Sequence, residues 1–462
     1  MGGYTESIKL MEQDKMEKIV NLCKRRGFIY PGSEIYGGLS NSFDFGPLGV
    51  ELKNNLKQLW WKKFVQERDD VIGLESTVMM HPKIWEASGH LQNFIDPLVE
   101  CKSCHQRFRA DLIQEKCPNC GKKEFTEKKD FNTMFKTFLG PVEDEAAIVY
   151  LRPETAQGMF VDFPLLLQTM RLKLPFGVAQ IGRSFRNEIT TGNFIFRIRE
   201  FDIAELEYFV KPGQDEKAFD DWLKFMEKVL VENFGLDKKN LRCYEHPKKS
   251  LAHYSKRTVD IQYRYPWGWD ELWGLANRTD YDLKQHEKFS GRDLKYYEAP
   301  TPSGGRSPDR SAGKFWPYVI EPTGGIERLF LAVMNEAYTE IQGGRTITTQ
   351  STKDVEIVLK LRKVLSPVKV AVLPLAKKEA LIKLAKEIHQ ELKKDWMVQY
   401  DEIGSIGRRY RRQDEIGTPY CLTVDFESLE DKKVTVRDRD TMKQERIDIK
   451  ELVNYLKANF EE

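Results

Sequence analysis

Between Phe176 and Val210 the chain carries two strand-length runs, FGVAQIGRSFRNE and FIFRIREFDIAELEYFV, separated by the short loop ITTGN. Side chains alternate between faces along a strand. In the first run Gln180, Gly182, Ser184, Arg186 and Glu188 then share a face. In the second, Arg197, Arg199, Phe201, Glu205 and Glu207 share one parity, and Phe196, Ile198, Ala204, Leu206, Tyr208 and Val210 the other. The apolar parity demands a core behind it. For one strand, a solvated outer sheet face accounts for the charged parity. Two adjacent strands with the same mixture suit a nucleotide laid across an antiparallel sheet: arginines neutralise phosphates, a flat ring stacks on a base, and carboxylates hold a metal or an ammonium.

The chain has 462 residues, a length that suggests about three domains and ample core. No apolar run approaches the roughly 20 residues of a membrane helix, and the opening MGGYTESIKLMEQDK has no apolar signal core; the expectation is a cytoplasmic protein. Basic and acidic residues nearly cancel, 73 against 71. Any contact with nucleic acid must come from local clusters. Arg408, Arg409, Arg411 and Arg412 form one, although a solvated, salt-bridged surface explains such a run equally well.

Apolar spacing predicts a helix from about Ile8 to Arg26, another through Leu52, Leu56, Leu59, Trp60 and Phe64, and a strand from Val71 to Met79. A surface helix is expected over 216–233, a loop without periodicity over 290–314, and an apolar helix to about Ala337 opened by a glycine turn at 324–325. After a connector at 347–366, strands and helices alternate from 367 to 462, the pattern of a small α/β domain. The rest, 1–346, reads as one body with insertions at about 99–128 and 211–257.

Cys101-x-x-Cys104 and Cys117-x-x-Cys120 are separated by twelve residues. Each pair can turn its two thiolates onto one ion, and four soft ligands suit tetrahedral Zn²⁺. With no position left open for water, such a zinc is structural. Seven cysteines, an odd number, argue against a disulfide framework.

Phe185-Arg186-Asn187-Glu188, a loop, and Arg197-Ile198-Arg199-Glu200-Phe201 resemble the second motif of the class II aminoacyl-tRNA synthetases. EPTGGIERLFLAVM, with Arg328, resembles the third; the helix after FDFGPLG plus the strand at 71–79 resembles the first, which in the family builds the dimer interface. Within the class, YGGLSNSFDFGPLG, EASGHLQNFIDPLVECKSC, YLRPETAQGMF, FRNEITTGNFIFRIREF, GWDELWGLANRTDYDLKQH and GSIGRRYRRQDEIGTPYCLTVD are similar to segments of the homodimeric glycyl-tRNA synthetases. The resemblance implies an α+β fold: an antiparallel sheet flanked by helices, a zinc-knuckle insertion and a C-terminal anticodon-binding domain. It implies ATP-dependent attachment of glycine to the 3′ end of tRNA(Gly) through a glycyl-adenylate, with release of AMP and pyrophosphate.

By the same resemblance the ATP site comprises Arg186, Asn187, Glu188, Phe196, Arg197, Ile198, Arg199, Glu200, Phe201, Glu271, Leu272, Gly325 and Arg328. Arg186, Glu188 and Arg328 carry the chemistry, and Mg²⁺ bridges phosphate oxygens with help from Glu188 or Glu271. Glycine recognition falls to Arg109, Glu154, Phe201, Glu205, Glu321, Pro322 and Thr323. Family members usually have serine where Thr323 stands, so its methyl must find room. Glycine offers no side chain to grip, so selectivity must come from excluding a Cβ, and no editing domain is expected. The 408–412 arginines are the expected tRNA contact. A non-catalytic nucleic-acid-binding relative would lack Arg186, Glu188, Glu205 and Arg328, all present here.

Overall fold

The computed structural model describes residues 2–111, 113, 115–189, 192–298, 313–343, 345 and 355–460, with side chains from residue 14 onward. In chain order, the elements that frame the site are α1 (Gly2–Arg26), α2 (Pro47–Trp61), β1 (Val71–Gly73), α3 (Ala156–Val161), β2 (Phe176–Phe185), β3 (Glu200–Val210), α4 (Asp215–Glu232), β4 (Leu241–Glu245), β5 (Arg257–Tyr265), β6 (Gly268–Thr279), α5 (Tyr281–Ser290), β7 (Tyr318–Gly325) and α6 (Ile326–Ala337). The strands form one seven-stranded sheet in the order β4-β5-β6-β7-β3-β2-β1. Every pairing in it is antiparallel except β2 with β1.

The expected pairing of the two charged runs is present: Gln180 lies opposite Glu205, Arg183 opposite Asp202 and Ser184 opposite Phe201. α2 begins at Pro47, whose missing N–H costs nothing at a helix start. Its Leu52, Leu56 and Trp60 join Leu206, Leu329 and Phe330 in the main core. Trp60 stacks on Phe64 with centroids 4.5 Å apart, and Phe64 meets Trp222 of α4 and Trp273 of β6.

One side of this core is closed by charge. The Lys53 ammonium is 2.5 Å from Glu327 Oε1 and 3.0 Å from Asp202 Oδ2. Arg183 Nε donates to Asp202 Oδ1 at 2.7 Å, and the Asp202 amide donates to both oxygens of Glu327. Lys57 adds a further contact to Asp202. Burial opposes the Asp202 charge, but Lys53, Lys57 and Arg183 hold its carboxyl well below the usual range. The cluster joins α2, β2, β3 and α6.

Three readings of the sequence need correcting. The strand expected over 71–79 is two: it stops at Gly73, and Met79–Met80 pairs in a different sheet with Ile148–Leu151. β2 ends at Phe185, so Arg186 and Glu188 do not share a strand face; Arg197 and Arg199 likewise precede β3, on a short 3₁₀ turn (Phe194–Phe196) and the extended segment after it. Gly324–Gly325 closes β7 rather than forming a turn. The loop expected over 290–314 falls for the most part, at 299–312, outside the described residues; at its edges Tyr296–Tyr297 pairs with Lys314–Phe315. Within 347–366, residues 347–354 are likewise outside, and Val355–Leu359 pairs with Tyr338–Gln342.

The C-terminal unit comprises β8 (Val370–Pro374), α7 (Glu379–Leu392), β9 (Val398–Tyr400), α8 (Ile406–Ile416), β10 (Tyr420–Val424), β11 (Lys433–Asp438), β12 (Gln444–Asp448) and α9 (Leu452–Phe460). Its sheet runs β9-β8-β10-β11-β12 around a separate core. It is tied to the N-terminal body by Arg26 and Arg25 on Glu415, by Arg345 on Asp414 at 2.5 Å, and by Asn55, which donates to the carbonyls of Leu365 and Ser366.

Removing one partner from a buried ion cluster strands the others. Lys53→Ala is expected to destabilise the N-terminal body by about 3–5 kcal/mol, and Lys57→Ala, at the cluster's wetter edge, by about 1 kcal/mol or less. Urea unfolding followed by tryptophan fluorescence measures both.

Candidate active site

At the carboxyl end of β7 and the adjoining stretch of β3, a cleft is lined by Glu154, Arg186, Glu188, Ile195, Phe196, Arg197, Ile198, Phe201, Ile203, Glu205, Tyr254, Glu271, Glu321, Thr323, Gly324, Gly325, Glu327 and Arg328. The side chains at 186, 197, 205 and 328 therefore meet in one cavity. Asn187, Arg199, Glu200, Leu272, Pro322 and Arg109 are not among its lining residues. Arg199 instead donates to the carbonyls of Ser40 and Glu188, and Glu200 pairs with Arg183 on the other side of β3. Leu272 is fully buried in the core. Arg109 pairs with Asp96 and Asp111, close enough to Glu188 to feel its charge.

The arginines are held rather than free. Arg186 Nε donates to the carbonyl of Pro153 at 3.0 Å, and its guanidinium lies 5.4 Å from the Phe201 ring centre. Arg328, at the start of α6, is 2.9 Å from Glu271 Oε2 and 4.6 Å from the Phe196 ring centre. Burial works against both charges of that pair, yet Arg328 keeps the Glu271 carboxyl low and Glu271 keeps Arg328 a firmer cation. This end of the cleft offers rigid cations beside flat rings, the arrangement for a polyphosphate joined to a base.

The other end is acidic. Arg278 Nη1 reaches Glu321 Oε1 at 2.7 Å, its Nε and Nη2 grip Asp282 at 2.8 and 2.9 Å, and Nη2 lies 3.8 Å from Glu154 Oε1. Glu205 Oε2 accepts from the amides of Thr155 and Ala156 at 2.6 and 3.0 Å and from the Thr155 hydroxyl; Oε1 accepts from Thr323 Oγ1 at 3.1 Å. Glu207, one step deeper on the same face of β3, is fully buried with neither oxygen hydrogen-bonded. Three carboxyls thus share the Arg278 guanidinium, and two more, Glu205 and Glu207, are buried beside them. Burial, with Glu154 close by, pushes the Glu205 carboxyl up; burial and Glu321 push Glu207 well up; burial pushes Glu321 up to about 8, against the pull of Arg278. Glu154 alone of the four glutamates is held low: burial opposes its charge, but His90 and Arg278 prevail. A site with more buried carboxyl than cation is built to receive a cation.

Thr323 turns its hydroxyl to Glu205 and its methyl toward Gly274, where a Cβ would sit 3.2 Å from that methyl. The methyl finds its room because residue 274 is glycine. Tyr254 was not legible in the sequence, since it lies in a loop without pattern; its ring faces Arg278 at 3.8 Å. Arg278 and Glu327 carried no more than a place inside quoted segments or beside Arg328.

The four sulfurs of Cys101, Cys104, Cys117 and Cys120 lie within 4.8 Å of one another, with Cys101–Cys120 and Cys104–Cys117 at 3.6 Å. A tetrahedron with Zn–S of about 2.3 Å has an edge of about 3.8 Å, so the donor set fits. Both knuckles close the same way: the amide four residues after each first cysteine bonds back to it, through His105 and Gly121 at positive φ.

On the C-terminal unit, Arg408 is exposed, whereas Arg409 is 2% exposed and spends its guanidinium on the carbonyls of Pro374, Leu375 and Asp401. Arg412 is committed to Asp401 and the Ile403 carbonyl. The run is thus partly structural, and Arg409 turns inward rather than presenting charge to solvent.

Residues 369–459 match a family model described as an anticodon binding domain. Glycine–tRNA ligases of Alkaliphilus oremlandii and Caldanaerobacter subterraneus are each 51% identical over 96% of this chain and 97% of their own. That of Thermobifida fusca is 49% identical over 96% and 98%. Among solved structures, prolyl-tRNA synthetase from Cryptosporidium parvum, complexed with halofuginone and AMPPNP, superposes with a TM-score of 0.63 over 96% of this chain and 76% of that one. At 15% identity that likeness is one of fold.

Glu321 carries a raised folded-state pKa, so between about pH 4.5 and 8 this carboxyl is more protonated in the folded chain than in the unfolded one, and its own contribution to stability falls as pH rises. Glu321→Gln, which keeps the acceptor for Arg278, is expected to raise the melting temperature of the ligand-free protein by about 2 °C or more at pH 8 and by less at pH 5. Calorimetric scans at the two pH values decide it.

Proposed function

The chain belongs to the glycine–tRNA ligase family, and from that premise we propose how its cleft works. It is a class II aminoacyl-tRNA synthetase that attaches glycine to the 3′ end of tRNA(Gly) at the expense of ATP, through a glycyl-adenylate. Pyrophosphate leaves in the first step and AMP in the second. The observation that carries the site reading is the cleft's division into an arginine-and-ring end and a carboxyl end.

In the first step the glycine carboxylate attacks the α-phosphorus, and the bond to the pyrophosphate oxygen breaks. Two anions must meet, so the work is electrostatic and positional. Arg186 sits against the α-phosphate, Arg328 against the γ-phosphate, and Phe201 stacks on adenine. Mg²⁺ belongs to the reaction of this class, and Glu188 and Glu271 are the carboxylates available to it; when bound it neutralises phosphate charge. Glu154, Glu205 and Glu321 grip the ammonium, with Thr323 fixing Glu205. In the second step the terminal ribose hydroxyl attacks the activated carbonyl and AMP departs.

Glycine is selected by what the pocket lacks. Thr323 and Tyr254 line the cleft, and we assign to them the exclusion of a Cβ; steric exclusion discriminates more strongly than the ~1–3 kcal/mol that attraction for one methyl supplies. The cysteine cluster holds a structural Zn²⁺. We assign the homodimer contact to α2 and the segment 71–79, as the first class motif implies; Ile35, Tyr36 and Leu39, before α2, are 88, 87 and 69% exposed. No described helix is long and apolar enough to cross a membrane, and we assign the protein to the cytoplasm. The C-terminal unit reads the anticodon, with Arg408 the outward cation of its arginine run.

Glycine-dependent ATP–pyrophosphate exchange tests the reading. Arg186→Ala and Arg328→Ala are each expected to lose about 10² or more in kcat/KM; wild-type rates in either would remove that residue from the site. For the cysteines, one zinc per chain is expected by elemental analysis, and Cys104→Ser is expected to lower both the zinc content and the melting temperature.

A further inference from the structure

Glu154 stands apart from Glu205, Glu207 and Glu321: its carboxyl is held low against burial, and a side chain outside the cleft contributes to this. His90 Nε2 lies 3.2 Å from Glu154 Oε2, and its Nδ1 lies 2.8 Å from the Ser88 hydroxyl oxygen. His90 and Ser88 are 3 and 1% exposed, and neither lines the cleft. Trp85 meets the imidazole edge-on with centroids 5.4 Å apart, and Phe94 lies on its other side at 5.3 Å. A ring nitrogen at this distance from a carboxylate carries its proton, so Ser88 and the two rings fix a donor aimed at Oε2. The other oxygen, Oε1, accepts from Gln157 Nε2 at 3.1 Å, and Gln157 is itself held by His286 at 2.8 Å and by Asp282. Glu154 is thereby pinned from both sides, with Arg278 at 3.8 Å as the nearest full cation.

We propose that His90, oriented by Ser88, is a positioning residue for glycine binding: it holds Glu154 ionised and aimed so that the carboxylate presents one fixed charge to the incoming ammonium. The proposal rests on the reading of Glu154 as an ammonium ligand and extends it. Without His90, Glu154 would have only a neutral amide and a distant guanidinium, in a place where burial and Glu205 favour protonation. At the ATP end, Arg186 shares the Phe94 ring with His90, its guanidinium 5.2 Å from that ring's centre; His90→Phe keeps a ring beside Phe94, so its effect is expected to fall chiefly on glycine.

Pyrophosphate exchange titrated separately with glycine and with ATP tests this on wild type, His90→Phe, His90→Gln, Ser88→Ala and Glu154→Gln. His90→Phe keeps a buried ring without a donor and is expected to raise the KM for glycine about tenfold or more, leaving the KM for ATP within about twofold. His90→Gln, whose amide reaches toward Oε2, is expected to recover most of that loss. The double variant His90→Phe, Glu154→Gln is expected to be no worse for glycine than Glu154→Gln alone.

An unchanged glycine KM in folded His90→Phe overturns the proposal, as does a parallel rise in both KM values or a His90→Gln no better than His90→Phe. If His90→Phe fails to fold by circular dichroism, Ser88→Ala decides: a rise confined to the glycine KM supports the proposal and no rise overturns it. If Glu154→Gln itself leaves the glycine KM unchanged, the ammonium reading falls and the role of His90 with it. A rise in Glu154→Gln without one in His90→Phe removes His90 alone.

Discussion

Five carboxyl groups, from Glu154, Glu205, Glu207, Asp282 and Glu321, are buried at one end of the cleft, three of them in contact with the guanidinium of Arg278. Desolvating that many like charges is unfavourable, and the surrounding structure is arranged to bear it. β3 brings Glu205 and Glu207, β7 brings Glu321, β6 brings Arg278, and α5 brings Asp282. The amides at the start of α3 cover one oxygen of Glu205. Part of the charge is relieved by proton uptake, as the upward shifts at Glu205, Glu207 and Glu321 indicate. On the proposed reading the substrate's ammonium completes the remainder. Affinity for a small cation and strain in its absence have the same origin.

The phosphate end depends on a different arrangement. Arg328 stands at the first turn of α6, and Glu327 beside it is locked by Lys53 from α2 and by the Asp202 amide from β3. The buried cluster therefore sets where α6 begins, and so where Arg328 reaches. Asn55, two residues beyond Lys53 on α2, donates to the carbonyls of Leu365 and Ser366 at the entry to the C-terminal unit. One helix thus contacts both the phosphate-binding framework and the joint to the anticodon-binding unit. A displacement of that unit would act on α2, whose ion pairs have little slack because burial makes their loss costly.

What the sequence made legible follows from the range over which each signal acts. Alternation over ten residues was enough to place Glu205 and Phe201 on a binding face, because β3 is regular from Glu200 onward. It failed at Arg186, Glu188, Arg197 and Arg199, which lie where strand geometry ends and chain direction is set by hydrogen bonds to distant backbone, such as the Asn187 amide on the Thr133 carbonyl. The cysteine spacing carried its own geometry, since two-residue turns bring sulfurs together whatever surrounds them. The 408–412 run shows the opposite case: charge was visible, but which guanidinium faces inward depends on the Pro374, Leu375 and Asp401 carbonyls of other elements. His90 with Glu154, Gln157 with Asp282 and Arg278 with Glu154 meet across 64 or more positions of the chain, and no local pattern announces such pairs.

Thr323 shows how a departure from the usual serine is absorbed. Its hydroxyl performs the polar task on Glu205, so the extra methyl must go elsewhere, and the position facing it across the β6–β7 ladder is Gly274. On the proposed reading the ammonium is held by carboxylates that are themselves pinned, so a substrate with a Cβ could not tilt to relieve a clash without loosening a charge contact. Size exclusion here depends on the rigidity of the carboxylates as much as on the apolar wall.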